Sequence, residues 1–125
     1  MHRPRFPAVV CLGLVLSSAP ISAHHSFSAE FDAKDHIILK GAVQQVDWAN
    51  PHASIRLTVR GPDGTSANWE VEFGPPAVLS SRGVRKDDFR IGAQVTVDGY
   101  RGKKKALTVV ARILTLPDGT ELFVR

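Results

Sequence analysis

Cysteine is almost absent from this 125-residue chain. The single one, Cys11, lies inside the apolar N-terminal stretch. The remaining residues therefore have no disulfide, no thiolate metal site and no cysteine nucleophile available to them. We expect the fold to be stabilised by packing of one modest core.

Long apolar runs are missing as well. The longest, over residues 8–16, is far shorter than the roughly 20 residues of a membrane-spanning helix. It follows the cations Arg3 and Arg5, and small residues precede His24. This pattern predicts a cleavable signal peptide over residues 1–23, cut between Ala23 and His24. We expect a periplasmic or secreted protein with no transmembrane segment after cleavage.

Acidic residues are missing from the predicted signal peptide, so part of the chain's basicity belongs to that peptide. Without Arg3 and Arg5, 14 of the 16 lysines and arginines remain against 12 aspartates and glutamates. The mature chain is thus close to neutral and long enough for one domain. We predict an N-terminal arm over residues 24–35, docked by two aromatic residues, and a single domain over residues 36–125.

Branched and aromatic residues alternate with polar ones through most of that domain. The alternation predicts strands over residues 37–48, 53–60, 67–73, 94–100, 107–116 and 120–124. Pro76 predicts the start of a short helix over residues 77–82, and Gly41 predicts a kink or bulge in the first strand. Three strands, a helix and further strands follow the order of an OB-like barrel. The predicted fold class is therefore all-β with one short helix, a five- to six-stranded antiparallel Greek-key barrel.

Four segments carry a wider resemblance. They are HHSFSAEFD at residues 24–32, VDWANPHA at 46–53, NWEVE at 68–72 and TLPDGT at 115–120. Together they resemble a family of small exported bacterial proteins classed as a domain of unknown function. The resemblance spans nearly all of the mature chain. It implies export and a barrel, and it implies no particular activity.

Histidines form the most specific candidate site. Cleavage before His24 would give that residue a free amine beside its imidazole, and together these can chelate a metal ion. His25 is adjacent, and His52 and His36 are candidates for a further ligand. Nitrogen ligands of this kind suit copper, with zinc as the alternative. The competing interpretation is an exposed chain start, with His52 bonded to its own turn.

A site of this kind is found in periplasmic copper carriers and in copper-dependent oxidative enzymes that attack polysaccharides. The oxidative enzymes need a flat, exposed aromatic platform around the metal. Here Trp48 falls at a strand end and Trp69 on the predicted core face. We therefore expect binding without catalysis, and rank the oxidative enzyme third.

A small-ligand pocket is the second candidate site. Trp48 and Asn50 on one strand end, with Trp69 and Glu70 on a neighbouring strand, could line the mouth of the barrel. In the alternative interpretation both tryptophans fill the core and bond their N–H groups to the backbone. The sequence leaves both interpretations open.

Hydrolysis and nucleic-acid binding have weaker support. Glu70 and Glu72 share a strand face and Asp47 lies nearby, but alternating surface glutamates are usually solvated, and no Gly-x-Ser-x-Gly motif occurs. The basic loop at residues 101–105 is accompanied by one candidate stacking residue, Tyr100. We expect an exported binding or accessory domain whose partner is a metal ion, a small ligand or another exported protein, not a nucleic acid.

Overall fold

The computed structural model describes residues 31–125. It contains six strands and a short α-helix in an all-β arrangement, which confirms the predicted class. The elements are β1 (Phe31–Asp47), β2 (Ser54–Arg60), β3 (Ser66–Glu72), α1 (Pro76–Ser81), a 3-10 helix (Lys86–Asp88), β4 (Gln94–Gly102), β5 (Thr108–Thr115) and β6 (Glu121–Phe123). The predicted signal peptide, His24 and His25 lie outside the described residues.

The strands form an unevenly closed ring. Neighbouring strands follow the order β3-β2-β1-β4-β5-β6, and β3 also pairs with β5. This last pairing is parallel and joins three residues, Glu70 to Glu72, to Thr108 through Val110. The other pairings are antiparallel. The sheet is therefore mostly antiparallel. The junction of β3 with β5, here called the seam, is one of its two shortest pairings, since β5 and β6 also share three residue pairs.

Strand β1 connects the two halves of the ring at Gly41. This residue lies opposite Val59 of β2 and also opposite Val95 of β4. A Cβ at Gly41 would come 2.3 Å from the carbonyl oxygen of Thr58, so the crossing accommodates glycine alone. The irregularity predicted at Gly41 lies slightly further on, between Val43 and Gln45.

The start of β1 differs from the sequence expectation. Residues 31–35 were predicted to belong to the N-terminal arm, but the strand begins at Phe31, opposite Gly102. The Phe31 ring is buried and stacks at 5.8 Å on Tyr100. Residues 32–35 show no alternation of apolar and polar side chains, because they form an irregularity in the β1–β4 pairing, between the pairs Phe31–Gly102 and His36–Tyr100.

The core lies inside the ring and follows the predicted alternation. Ile55 and Leu57 of β2 and Trp69 and Val71 of β3 point inward and are buried. Helix α1 contributes Leu79 to the same core. Within residues 31–125, no helix combines the length and apolar character needed to cross a bilayer.

Candidate functional site

A polar groove runs along the outer surface of β2 and β3 next to the seam. It encloses about 300 Å³ and is bounded on one side by the loop that joins β4 to β5. Its lining residues are Gln45, Asp47, Ser54, Ile55, Arg56, Asn68, Trp69, Glu70, Lys105, Ala106, Leu107 and Thr108. The groove therefore combines backbone from a strand edge with charged side chains of both signs.

The charged groups of the groove come from the outward faces of adjacent strands. Arg56 lies directly opposite Glu70 in the β2–β3 ladder. Its guanidinium instead donates a hydrogen bond to Oε1 of Gln45 at 3.0 Å, and Nζ of Lys105 lies 3.6 Å from Glu70. Because these side chains are largely solvent-exposed, such contacts are weak and exchangeable with a ligand.

Trp69 forms the floor of this region. Its side chain belongs to the core, with 8% exposure, and the Arg101 guanidinium lies 5.2 Å from the centre of its ring. Nε of Arg101 donates to a carboxylate oxygen of Asp35 at 2.9 Å. Because the indole packs in the core and the Arg101 guanidinium lies over its ring, Trp69 is not an open stacking platform.

Within residues 31–125, no strand pairs with the edge of β3 where it borders the groove, and this edge is called open below. The Glu70 amide donates to the Leu107 carbonyl at 2.9 Å, and the described β3–β5 pairing begins at that residue. Backbone groups two residues apart on a strand point to the same edge. The amide and carbonyl of Asn68 therefore face the groove side of β3, beyond the last residue paired with β5.

The four residues predicted to form a ligand pocket are divided by the fold. Trp69 and Glu70 both line the groove. Trp48 instead packs near Phe89, with ring centres 6.1 Å apart, and Asn50 is exposed before a cis peptide bond to Pro51. The two tryptophans therefore lie in different parts of the molecule, and of the two it is Trp69 that lines the groove.

The two described histidines lie in separate surroundings. Nε2 of His36 is 3.0 Å from Oδ1 of Asp98, and its ring meets Tyr100 edge-on. His52 is half-buried in a second, smaller cavity that Glu72, Lys104 and Lys105 also line. Among residues 31–125, no three histidine, cysteine, aspartate or glutamate side chains come together as a metal-binding group.

Sequence reasoning did not single out Gln45, Asn68 or Lys105 as site residues. Alternation along β3 could have placed Asn68 beside Glu70 on the outer face. Lys105 was considered only as part of the basic loop at residues 101–105, although it borders both cavities. No local sequence pattern predicts the parallel pairing of β3 with β5, which brings this loop to the groove.

Comparison with known proteins agrees with the resemblance seen in the sequence. A family model described as a family of unknown function, DUF6152, matches residues 11–110. No curated protein and no solved structure matches the chain. The matched segment includes β1 through β4, the loop beside the groove and the start of β5. The chain belongs to the family of unknown function DUF6152.

Proposed function

We propose that this chain is an exported, non-catalytic binding domain, and that its groove binds an extended peptide segment of another exported protein. The observation that carries the proposal is the open edge of β3 at Asn68. An unpaired strand edge accepts an additional strand through main-chain hydrogen bonds. The groove beside this edge supplies side chains that can select the segment.

The charges of the groove suit a peptide with mixed polarity. Arg56 and Lys105 can pair with carboxylates, while Asp47 and Glu70 can pair with ammonium or guanidinium groups. The groove is open and polar, whereas typical drug-like sites are concave and mostly apolar. A segment lying along the edge of β3 uses such a surface better than a compact molecule does.

The test uses peptides selected against the purified chain from a random phage-displayed library, with affinity measured by calorimetry. Asn68→Pro removes the outward amide, and proline is tolerated at strand edges where the N–H faces solvent. We expect this variant to lower affinity at least about tenfold. Asn68→Ala is the matched control, because it loses the same side-chain bond from the Thr58 hydroxyl but keeps the amide.

Two results would contradict the peptide proposal. Equal affinities for the proline and alanine variants would show that the amide of Asn68 is not used. Selected peptides whose binding is unaffected by Arg56→Ala and by Glu70→Ala would place the site elsewhere. Circular dichroism of each variant separates loss of binding from loss of fold.

We propose a metal site as a second function, supported by the presence of His52 and Glu72 in the lining of one cavity. An imidazole and a carboxylate are suitable ligands for copper or zinc. Lys104 and Lys105 line the same cavity, so a cation there needs further ligands. We assign these to the N-terminal amine and imidazole of His24, assisted by His25.

The metal proposal is tested by calorimetric titration of the exported protein with Cu(II) and Zn(II), after its intact mass has shown a chain beginning at His24. We expect stoichiometric Cu(II) binding, weakened most by His24→Ala and clearly by His52→Ala. His36→Ala is the control, because this imidazole already contacts Asp98 on a different strand pair. Absence of stoichiometric binding, or an unchanged affinity in His24→Ala, would refute the site.

A further inference from the structure

The outer face of the sheet formed by β1, β4, β5 and β6 carries exposed apolar side chains. The registers place Ile38, Asp98, Ile113 and Phe123 in one row across the four strands. Ile38 is 64% exposed and Phe123 is 59% exposed, one at each end of the row. We call this outward surface of β1, β4, β5 and β6 the outer row face.

A second row of the outer row face carries opposite charges at its two ends. Lys40 of β1 lies opposite Thr96, which is followed across the sheet by Thr115 and Glu121. Lys40 and Glu121 are separated by three strand spacings, or about 14 Å, so they cannot pair within one molecule. Their charges are available to a partner.

A two-fold rotation about an axis parallel to the strands brings each row opposite the same row of a second copy, and the facing side chains are then complementary. Such a rotation keeps each row in register and reverses the order of the strands. It brings Ile38 opposite the partner's Phe123 and Lys40 opposite the partner's Glu121. Because each contact occurs twice, two apolar pairs and two ion pairs form together.

We propose that the outer row face binds a second copy of this chain as a face-to-face dimer with this axis. Two sheets pack well when their strands are nearly aligned, as this rotation requires. Asp98, near the middle of the row, keeps His36 as its partner at 3.0 Å, which lessens the cost of covering the carboxylate. The dimer covers the apolar residues that a lone domain would leave exposed.

The proposal predicts the effect of reversing charges on self-association. Lys40→Glu and Glu121→Lys should each weaken the dimer at least about tenfold in sedimentation equilibrium, because two like-charge pairs form. The double variant, Lys40→Glu with Glu121→Lys, should restore the affinity to near that of the natural chain. Arg60→Glu is the control, since it reverses a charge on β2, outside the four strands.

Rescue by the double variant supports both the dimer and its axis. A natural chain that stays monomeric would overturn the proposal, whether or not another protein covers the face. A dimer whose affinity is unchanged by both single changes, or is not restored by the double change, would overturn it equally. Unchanged circular dichroism in all variants shows that the fold is intact.

Discussion

Individual aspartates organise two of the described turns. Oδ1 of Asp63 accepts hydrogen bonds from the Thr65 hydroxyl at 2.7 Å and the Thr65 amide at 3.0 Å. These bonds lower the pKa of Asp63 below its ordinary value, and the Thr120 amide lowers the pKa of Asp118 in the same way. Both carboxylates are therefore held in their ionised form in the folded chain.

The lowered pKa of Asp63 predicts how stability depends on pH. A carboxyl group with a lower pKa in the folded state stabilises the protein above its unfolded pKa, and this contribution is lost as pH falls through the folded value. We expect Asp63→Asn to lose less stability than the natural chain below about pH 4 in urea titrations. Asp87→Asn is the control. An identical acid dependence for the natural chain and Asp63→Asn would show that the turn does not favour the carboxylate.

The strands differ in how well their own sequences predict where they begin and end. Strands β2 and β3 were predicted within one residue at each end, because strict alternation gives each an inward and an outward face. The start of β1 was missed, since residues 32–35 form an irregularity in the pairing with β4 and show no alternation of their own. The 3-10 helix at Lys86–Asp88 was also missed, because so short an element has no periodicity.

The crossing of β1 between the two halves of the ring depends on Gly41. Since a Cβ would come 2.3 Å from a backbone oxygen, the strands must move apart to admit any side chain. We expect Gly41→Ala to lower the free energy of unfolding by about 1–3 kcal/mol, the usual cost of overpacking.

Gly74→Ala is the matched control for this crossing, because a Cβ there meets its nearest atom, the Val124 carbonyl oxygen, at an ordinary 3.5 Å. Urea unfolding should show a clearly smaller loss for this control. Equal losses at the two glycines would contradict the account of β1 as a crossing strand.

At the scale of the whole molecule, closure of the ring creates the candidate site. The seam joins three residue pairs, and the groove lies where β3 continues past it. Glu70 and Trp69 could be selected from the sequence as polar and aromatic neighbours, but Lys105 and the open edge at Asn68 could not. Their positions follow from a parallel pairing between distant segments, which is set by the tertiary fold and not by local pattern.

The groove and the outer row face occupy different parts of the one six-stranded sheet. The groove is lined mainly by β2, β3 and the loop before β5, whereas the outer row face uses β1, β4, β5 and β6. Peptide binding and self-association therefore concern separate surfaces, and the variants that test one leave the other unchanged.

Amide hydrogen exchange at Asn68 tests the central claim most directly. Exchange is measured residue by residue by NMR on the purified chain, with and without a selected peptide at saturating concentration. We expect the Asn68 amide to become strongly protected in the complex, because it donates to the added strand, while the Gln94 amide at the start of β4 changes little. Tight binding with unchanged exchange at Asn68 would contradict strand addition at the open edge of β3.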